Sequence, residues 1–332
     1  MPVPSGTRPQ KGSPMDFGVA TSTRGECSTR QGYLAVAESA ERLGFGFIGV
    51  NDHVVVPRGI ASKYPYSGDH KWAAASIGEC LDLIPTLAFL AARTERLQLL
   101  SSVLVVPQRQ PVLTAKMLAT IDILSQGRLI VGCGVGWLKE EFEAVGAPPF
   151  ADRGRVTDEF IDAFKVLWTE EAPVVHGTHA RFEDLIFAPK PVRKPHPPIW
   201  IGGESPLALR RVVRAGDGWY PASNNPHYRL DTAARVKVGV EDLGRTAEAA
   251  GRDPTSIDVA FLVLWPVNWT AHGRAAAERR LLTGSSEAMA ADIAALEEAG
   301  VRHLCLTFQT ATVAETLERM QRFAEEVMPL TR

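Results

Sequence analysis

Residues 97–137 read LQLLSSVLVVPQRQPVLTAKMLATIDILSQGRLIVGCGVGW, and this stretch decides the fold. Leu97–Val103 is an apolar, β-branched run of strand length, Pro111–Leu124 follows as a helix, and Arg128–Cys133 is a second strand that runs into a glycine-rich turn. Strand, helix and strand in this order mark a βα unit in a parallel sheet. Towards the N-terminus the same rhythm predicts strands at Met15–Ala20 and Phe47–Val50. Helices are predicted near Thr29–Leu43, where Ala35, Val36, Ala40 and Leu43 keep helical spacing, and near Leu81–Ala92; a long loop fills Val54–Ile77. Towards the C-terminus it predicts strands at Ile199–Gly202, Gly218–Tyr220, Ile257–Trp265 and His303–Phe308. The helices there are Asp152–Trp168, Pro206–Ala215, Tyr228–Ala250, Ser285–Ala299 closed by Gly300, and Val313–Met328. A proline-rich excursion, Pro173–Pro198, interrupts the rhythm and carries a hairpin within Val174–Phe187. Eight βα units in one chain predict a (β/α)8 TIM barrel over a doubly wound sheet.

The 332 residues carry 36 Lys and Arg against 38 Asp and Glu, a net charge of −2, so there is no basic surplus to recommend a nucleic-acid partner. The composition, 45% hydrophobic and 22% charged, is that of a globular protein with a large core. Apolar stretches such as Leu97–Val106 fall short of the ~20 residues that cross a bilayer, so no membrane anchor is expected. The first fourteen residues are polar and rich in Pro and Gly, which predicts a flexible tail at 1–14 and a single barrel domain over 15–332. With no apolar core in that tail and four cysteines in no CxxC pair, a cytoplasmic location is expected. His176 and His179 lack the Cys or carboxylate partners of a zinc site, so no metal is expected.

Barrel active sites lie at the C-terminal ends of the strands. Those positions are Asn51-Asp52-His53, Ser102–Pro107, Gly132–Trp137, Gly202–Ser205, Tyr220, Trp265 and Thr307–Gln309, polar at a few points and aromatic at several. His53 suits proton transfer near neutral pH with Asp52 as orienting carboxylate, although a turn cap beside a satisfied histidine gives the same letters. Gly132, Gly134 and Gly136 do not make a dinucleotide fingerprint, because the spacing is GxGxG and follows the fourth strand. Gly202-Gly203-Glu204-Ser205-Pro206 offers open amides at a helix start, where a phosphate can sit; a capped helix with nothing bound fits equally. The Glu204 charge would repel a phosphate beside it. Trp137, Tyr220 and Trp265 are candidates for a substrate pocket, or else packing.

Three blocks, ERLGFGFIGVNDHVVVP (41–57), residues 99–146 and PHPPIWIGGESPLALRRVVRAGDGWYPAS (195–223), closely resemble the luciferase-like monooxygenase superfamily, and more narrowly its branch of F420-dependent oxidoreductases. The resemblance covers the chain after the tail and implies a TIM barrel with an insertion before the fifth strand. It implies that F420, or alternatively FMN, binds at the barrel mouth. Asp52 would bond the ring, and His53 would be the catalytic proton donor or acceptor. Ser102-Val103 would form a non-proline cis peptide behind the ring. Gly134, Val135 and Gly136 would lie against the cofactor, and Gly202, Gly203, Glu204 and Ser205 would hold its phosphate, with the Glu204 carboxylate turned away. Trp137 stands where sugar-phosphate dehydrogenases of this branch have a catalytic glutamate, which argues for a larger or more apolar substrate. The arginine-rich segment of several FMN-using members is not found, which favours F420. The reading is therefore hydride transfer between F420 and a small organic substrate. Its alternatives are a two-component FMN monooxygenase fed by a partner reductase and a non-catalytic F420-binding protein. Family members are often homodimers; nothing in these residues shows such a face.

Overall fold

The computed structural model describes residues 14–21, 24–72, 79–270 and 279–331. The expected N-terminal tail lies outside these residues except for position 14, as do positions 73–77 of the long loop. Eight parallel strands close on themselves: β1 (Asp16–Ala20), β2 (Phe47–Val50), β3 (Gln98–Ser101), β4 (Leu129–Gly134), β5 (Ile199–Gly202), β6 (Gly218–Tyr220), β7 (Asp258–Pro266) and β8 (His303–Thr307). Sequence neighbours pair throughout, β1 pairs with β8, and the Leu99 and Leu100 register against Leu129 and Ile130 joins β3 to β4. The chain is a (β/α)8 barrel.

Helices α1 (Arg30–Leu43), α2 (Leu83–Ala91), α3 (Pro111–Leu124), α4 (Lys139–Ala144), α5 (Arg153–Thr169), α6 (Pro206–Ala215), α7 (Ala233–Ala249), α8 (Ser286–Glu298) and α9 (Val313–Glu326) lie outside the strands. Most begin where the sequence offers a cap. The side chains of Thr29, Asp82, Gln110, Ser205, Thr232, Ser285 and Thr312 each accept an amide hydrogen from the first turn that follows. Thr232 explains why α7 starts later than the periodicity predicts: residues 225–231 are held in turns, with Asn225 Oδ1 accepting from the amides of His227 and Tyr228.

Two hydrophobic layers result. Between strands and helices lie Val36, Ala40, Phe164, Leu167 and Trp168 among many others, and inside the barrel Phe47, Leu100, Ile130, Trp200, Tyr220, Ala260 and Cys305 form a separate plug. The plug requires glycine beside its largest rings. A Cβ on Gly18 would stand 2.1 Å from the Phe47 ring, and one on Gly218 would stand 2.6 Å from Trp200. Phe47 and Trp200 then meet edge to face at 6.1 Å.

The third strand ends earlier than Val103, at Ser101; the Ser102–Val103 peptide is cis, and the chain resumes as an extended pair, Leu104–Val105, against β4. The short helix α4 was not anticipated from the sequence. In the excursion before β5, Val175–His176 pairs antiparallel with Arg181–Phe182, inside the expected hairpin, and the peptides before Pro189 and Pro195 are cis. Among the described residues no helix is long and apolar enough to cross a membrane.

Candidate active site

The end of β2 carries Asn51, Asp52 and His53 to the barrel mouth. Asn51 Nδ2 donates to the Thr21 carbonyl at 2.8 Å, which ties the ends of β1 and β2 together. The Asp52 carboxylate is enclosed: its side chain has no exposed surface, Oδ1 accepts from Arg109 Nη2 at 2.5 Å, and Oδ2 accepts from the Val105 amide at 2.9 Å. Burial raises its pKa above the usual carboxylate value, and Arg109 only partly offsets this. Both oxygens bond groups of the segment after β3.

His53 has a different neighbour from the expected one. Its Nδ1 lies 3.0 Å from Glu141 Oε2 on α4, and the Glu141 side chain is 1% exposed. Glu141 Oε1 accepts from the amides of Val54 at 2.6 Å and Val55 at 3.2 Å. Beside it on α4, Glu140 accepts from the Ala61 amide at 2.6 Å, the Ser62 amide at 3.0 Å and the Ser62 hydroxyl at 2.7 Å. Two consecutive acidic residues thus fasten the loop that leaves β2. Acidic residues in a first helical turn also suit the positive end of the helix.

That loop brings aromatic rings onto the mouth. Trp72 stacks on His53 with ring centres 4.3 Å apart, and Trp137 presents an edge to Trp72 at 5.8 Å and to Tyr64 at 5.1 Å. Burial pushes the Tyr64 hydroxyl up to about 12, so both tyrosine and tryptophan act here as neutral surface. Trp137 is half-buried and presents an edge to His53 at 6.3 Å.

The glycine segments converge on Val103. A Cβ on Gly134 would lie 2.5 Å from Val103 Cγ2, and one on Gly202 would lie 3.4 Å from Val103 Cγ1. Gly136 has φ +79° and Gly203 has φ +103°, conformations that favour glycine, and Val135, next to Gly136, is half-buried. Ser205 caps α6, accepting from the Ala208 amide at 3.2 Å, with Pro206 following. The Glu204 carboxylate points away from this helix start: Oε1 accepts from the Ala222 amide and Oε2 from Asn225 Nδ2, each at 2.7 Å. Burial raises it to about 6. Bare glycine backbone, a capped helix start and a diverted carboxylate fit a phosphate-bearing, flat-ringed cofactor.

Ser102 Oγ lies 3.0 Å from the Tyr220 hydroxyl, so Tyr220 forms the buried floor under the mouth. Trp265 is buried, donates from Nε1 to the Leu281 carbonyl at 2.8 Å, and has the Arg280 guanidinium 5.5 Å above its ring. It borders a cavity of about 270 Å³ shared with Tyr66, Ser223, Asn224, Arg229 and Arg279. Arginines thus reach the mouth from several segments. Among the described residues no three metal-ligating side chains come together.

Sequence reasoning missed Arg109, Glu140 and Glu141. Arg109 gives no local signal, since its partner is 57 residues away. The acidic pair three and four residues past Trp137 is a signal that the sequence does carry.

Comparison with known proteins gives the family and the fold. The sequence profile described as luciferase-like monooxygenase matches residues 15–279. The FMNH2-dependent dimethylsulfone monooxygenase of Pseudomonas putida is 38% identical over 164 residues, 49% of this chain and 43% of that enzyme, so the match spans less than half of the relative's length. Among solved structures, monooxygenase RslO1 from Streptomyces bottropensis aligns with a TM-score of 0.73 at 25% identity, covering 95% of this chain and 99% of that one. An F420-dependent secondary alcohol dehydrogenase in complex with an F420-acetone adduct aligns with a TM-score of 0.75 at 18% identity, covering 96% and 99%.

Proposed function

The chain belongs to the luciferase-like monooxygenase family, and we propose that it is an oxidoreductase of that family in which His53 exchanges a proton with the reacting partners at the barrel mouth. A flavin-type cofactor fits the site, and it would supply the reducing equivalent. The observation that carries the reading is the His53 ring, held through Nδ1 by a buried carboxylate and lying beneath an aromatic cover. Trp72 and Trp137 border the ring and limit the access of water to it.

Residues 134–136 would lie along the cofactor ring, with Val103 and Ser102 behind it. Gly202, Gly203 and Ser205 would receive the phosphate, and Glu204 would leave that spot free of negative charge by bonding Ala222 and Asn225. Asp52 would act through the Val105 amide and Arg109 rather than on the ring itself. Trp72, Trp137 and Tyr64 would favour a small substrate with apolar surface and exclude water from it.

Reduced FMN is the favoured cofactor. The 38% identical relative uses FMNH2, whereas the F420-binding structure is 18% identical and shares the fold alone. A partner reductase would then supply the reduced flavin. The second reading, hydride transfer with F420, rests on the same His53 geometry. Anaerobic titration of the protein with reduced FMN and with F420, followed by tryptophan fluorescence, decides between them: micromolar binding of reduced FMN is expected, and binding of F420 alone would overturn the choice. His53→Gln should leave that binding intact and cut turnover by roughly 10²–10⁴ on a panel of sulfones, ketones and secondary alcohols. Unchanged turnover would sink the assignment of His53.

A further inference from the structure

We propose that Glu141 is a positioning residue that keeps the proton of neutral His53 on Nδ1, so that Nε2 is the nitrogen that takes up and releases the catalytic proton; this rests on the role proposed above for His53. The amides of Val54 and Val55 donate to Glu141 Oε1, and His53 Nδ1 lies 3.0 Å from Oε2. A carboxyl group in this setting is ionised, because an ionised carboxylate only accepts. Burial opposes that ionisation, and the bonds from His53, Gln108 and Val54 outweigh it, holding the carboxyl below its ordinary value. Facing a pure acceptor at 3.0 Å, Nδ1 must carry hydrogen whether the ring is neutral or charged. Among the described residues Nε2 has no hydrogen-bond partner, and it is the atom whose proton comes and goes.

The carboxylate cannot swing away to relax this requirement. Its Oε1 is pinned by two backbone amides at the base of the loop, and the side chain is enclosed on α4. The ring is likewise confined, with Trp72 stacked against its face. Glu141→Gln therefore has a defined consequence. The glutamine has one acceptor oxygen, which the Val54 and Val55 amides claim, so its NH2 faces His53 Nδ1. Nδ1 must then accept, and the ring hydrogen moves to Nε2.

The test is the tautomer of His53, read from imidazole ¹⁵N–¹H correlation spectra of the full-length protein at a pH of about 9, where an ordinary histidine is neutral. The spectrum of His53→Gln identifies the His53 signals among the eight histidines. The wild type should show Nδ1 protonated and Nε2 bare, and Glu141→Gln should show the reverse. Turnover of Glu141→Gln should fall by roughly 10²–10⁴, the scale on which a mis-set tautomer acts in catalytic triads, and Glu141→Asp should recover part of it. A neutral wild-type His53 protonated on Nε2 overturns the proposal, as does a Glu141→Gln protein that keeps hydrogen on Nδ1. Should Glu141→Gln fail to fold, the wild-type spectrum alone decides. A His53→Gln enzyme that turns over normally would instead remove the role of His53 in catalysis while leaving the tautomer assignment standing.

Discussion

Replacing Arg109 by methionine should cost more stability the higher the pH. The change keeps the stem that packs beside Asp52 but removes its cation, leaving a carboxylate with no exposed surface and the Val105 amide as its remaining partner. Breaking one side of a buried ion pair costs about 3–5 kcal/mol. The other partner of Arg109, Asp82, is 37% exposed, and water replaces the lost contact there at little cost. Asp52 already titrates above its unfolded value because burial outweighs Arg109. A group with a raised folded-state pKa contributes stability that is full below the unfolded pKa and is lost as pH rises through the folded one. Without Arg109 that pKa rises further, so the variant should be weakened most at pH ~8 and progressively less towards pH ~5, as Asp52 accepts a proton instead. For 332 residues, an unfolding entropy of roughly 0.7 kcal/mol per kelvin turns the full loss into a melting decrease of roughly 4–7 °C. Differential scanning calorimetry across this pH range measures it. Asp52→Asn in the Arg109→Met background should restore most of the loss at high pH. A decrease that is the same at every pH, with no recovery in the double variant, would refute the account.

Two other perturbations have equally defined outcomes. Glu204 folds with a pKa near 6 against an ordinary 4.5, so its contribution is present below pH 4.5 and lost as pH rises through 6. Measured against Glu204→Gln, the wild type should lose up to about 2 kcal/mol across that window in denaturant titrations, and a flat difference would exclude the buried, uncompensated charge. Gly18→Ala should prevent folding or lower stability by more than ~3 kcal/mol, since its Cβ meets the Phe47 ring at 2.1 Å, and Phe47→Leu in the same chain should restore expression as folded protein. Equal solubility of all three chains would show that the plug is looser than its contacts imply.

The strand count was legible because each barrel strand is buried and short, bounded by Gly, Pro or polar turns. Pro111–Leu124, Ile199–Gly202, Pro206–Ala215 and Gly218–Tyr220 have the bounds that their residues predict. Ends defined by tertiary contact were not legible. β3 stops at Ser101 and the chain pairs with β4 again at Leu104, and α7 waits for Thr232 because Asn225 and Asp231 hold the preceding turns. The site divided in the same way. His53 and the glycines could be named from strand-end position and Val103 from the family resemblance, while the partners of Asp52 and His53 could not, because Arg109 and Glu141 meet them across 57 and 88 residues of sequence.

Glu140 and Glu141 attach the loop after β2 largely through main-chain amides, those of residues 54, 55, 61 and 62, with the His53 ring and the Ser62 hydroxyl as the side chains involved among the described residues. An anchor that grips backbone is indifferent to what the loop displays. Substitutions at positions such as Tyr64, Tyr66 or Trp72 can reshape the cover over the mouth while its attachment stays in place. In directed evolution this segment should therefore accept new side chains, and with them new substrates, at far lower cost in foldedness than α4 itself.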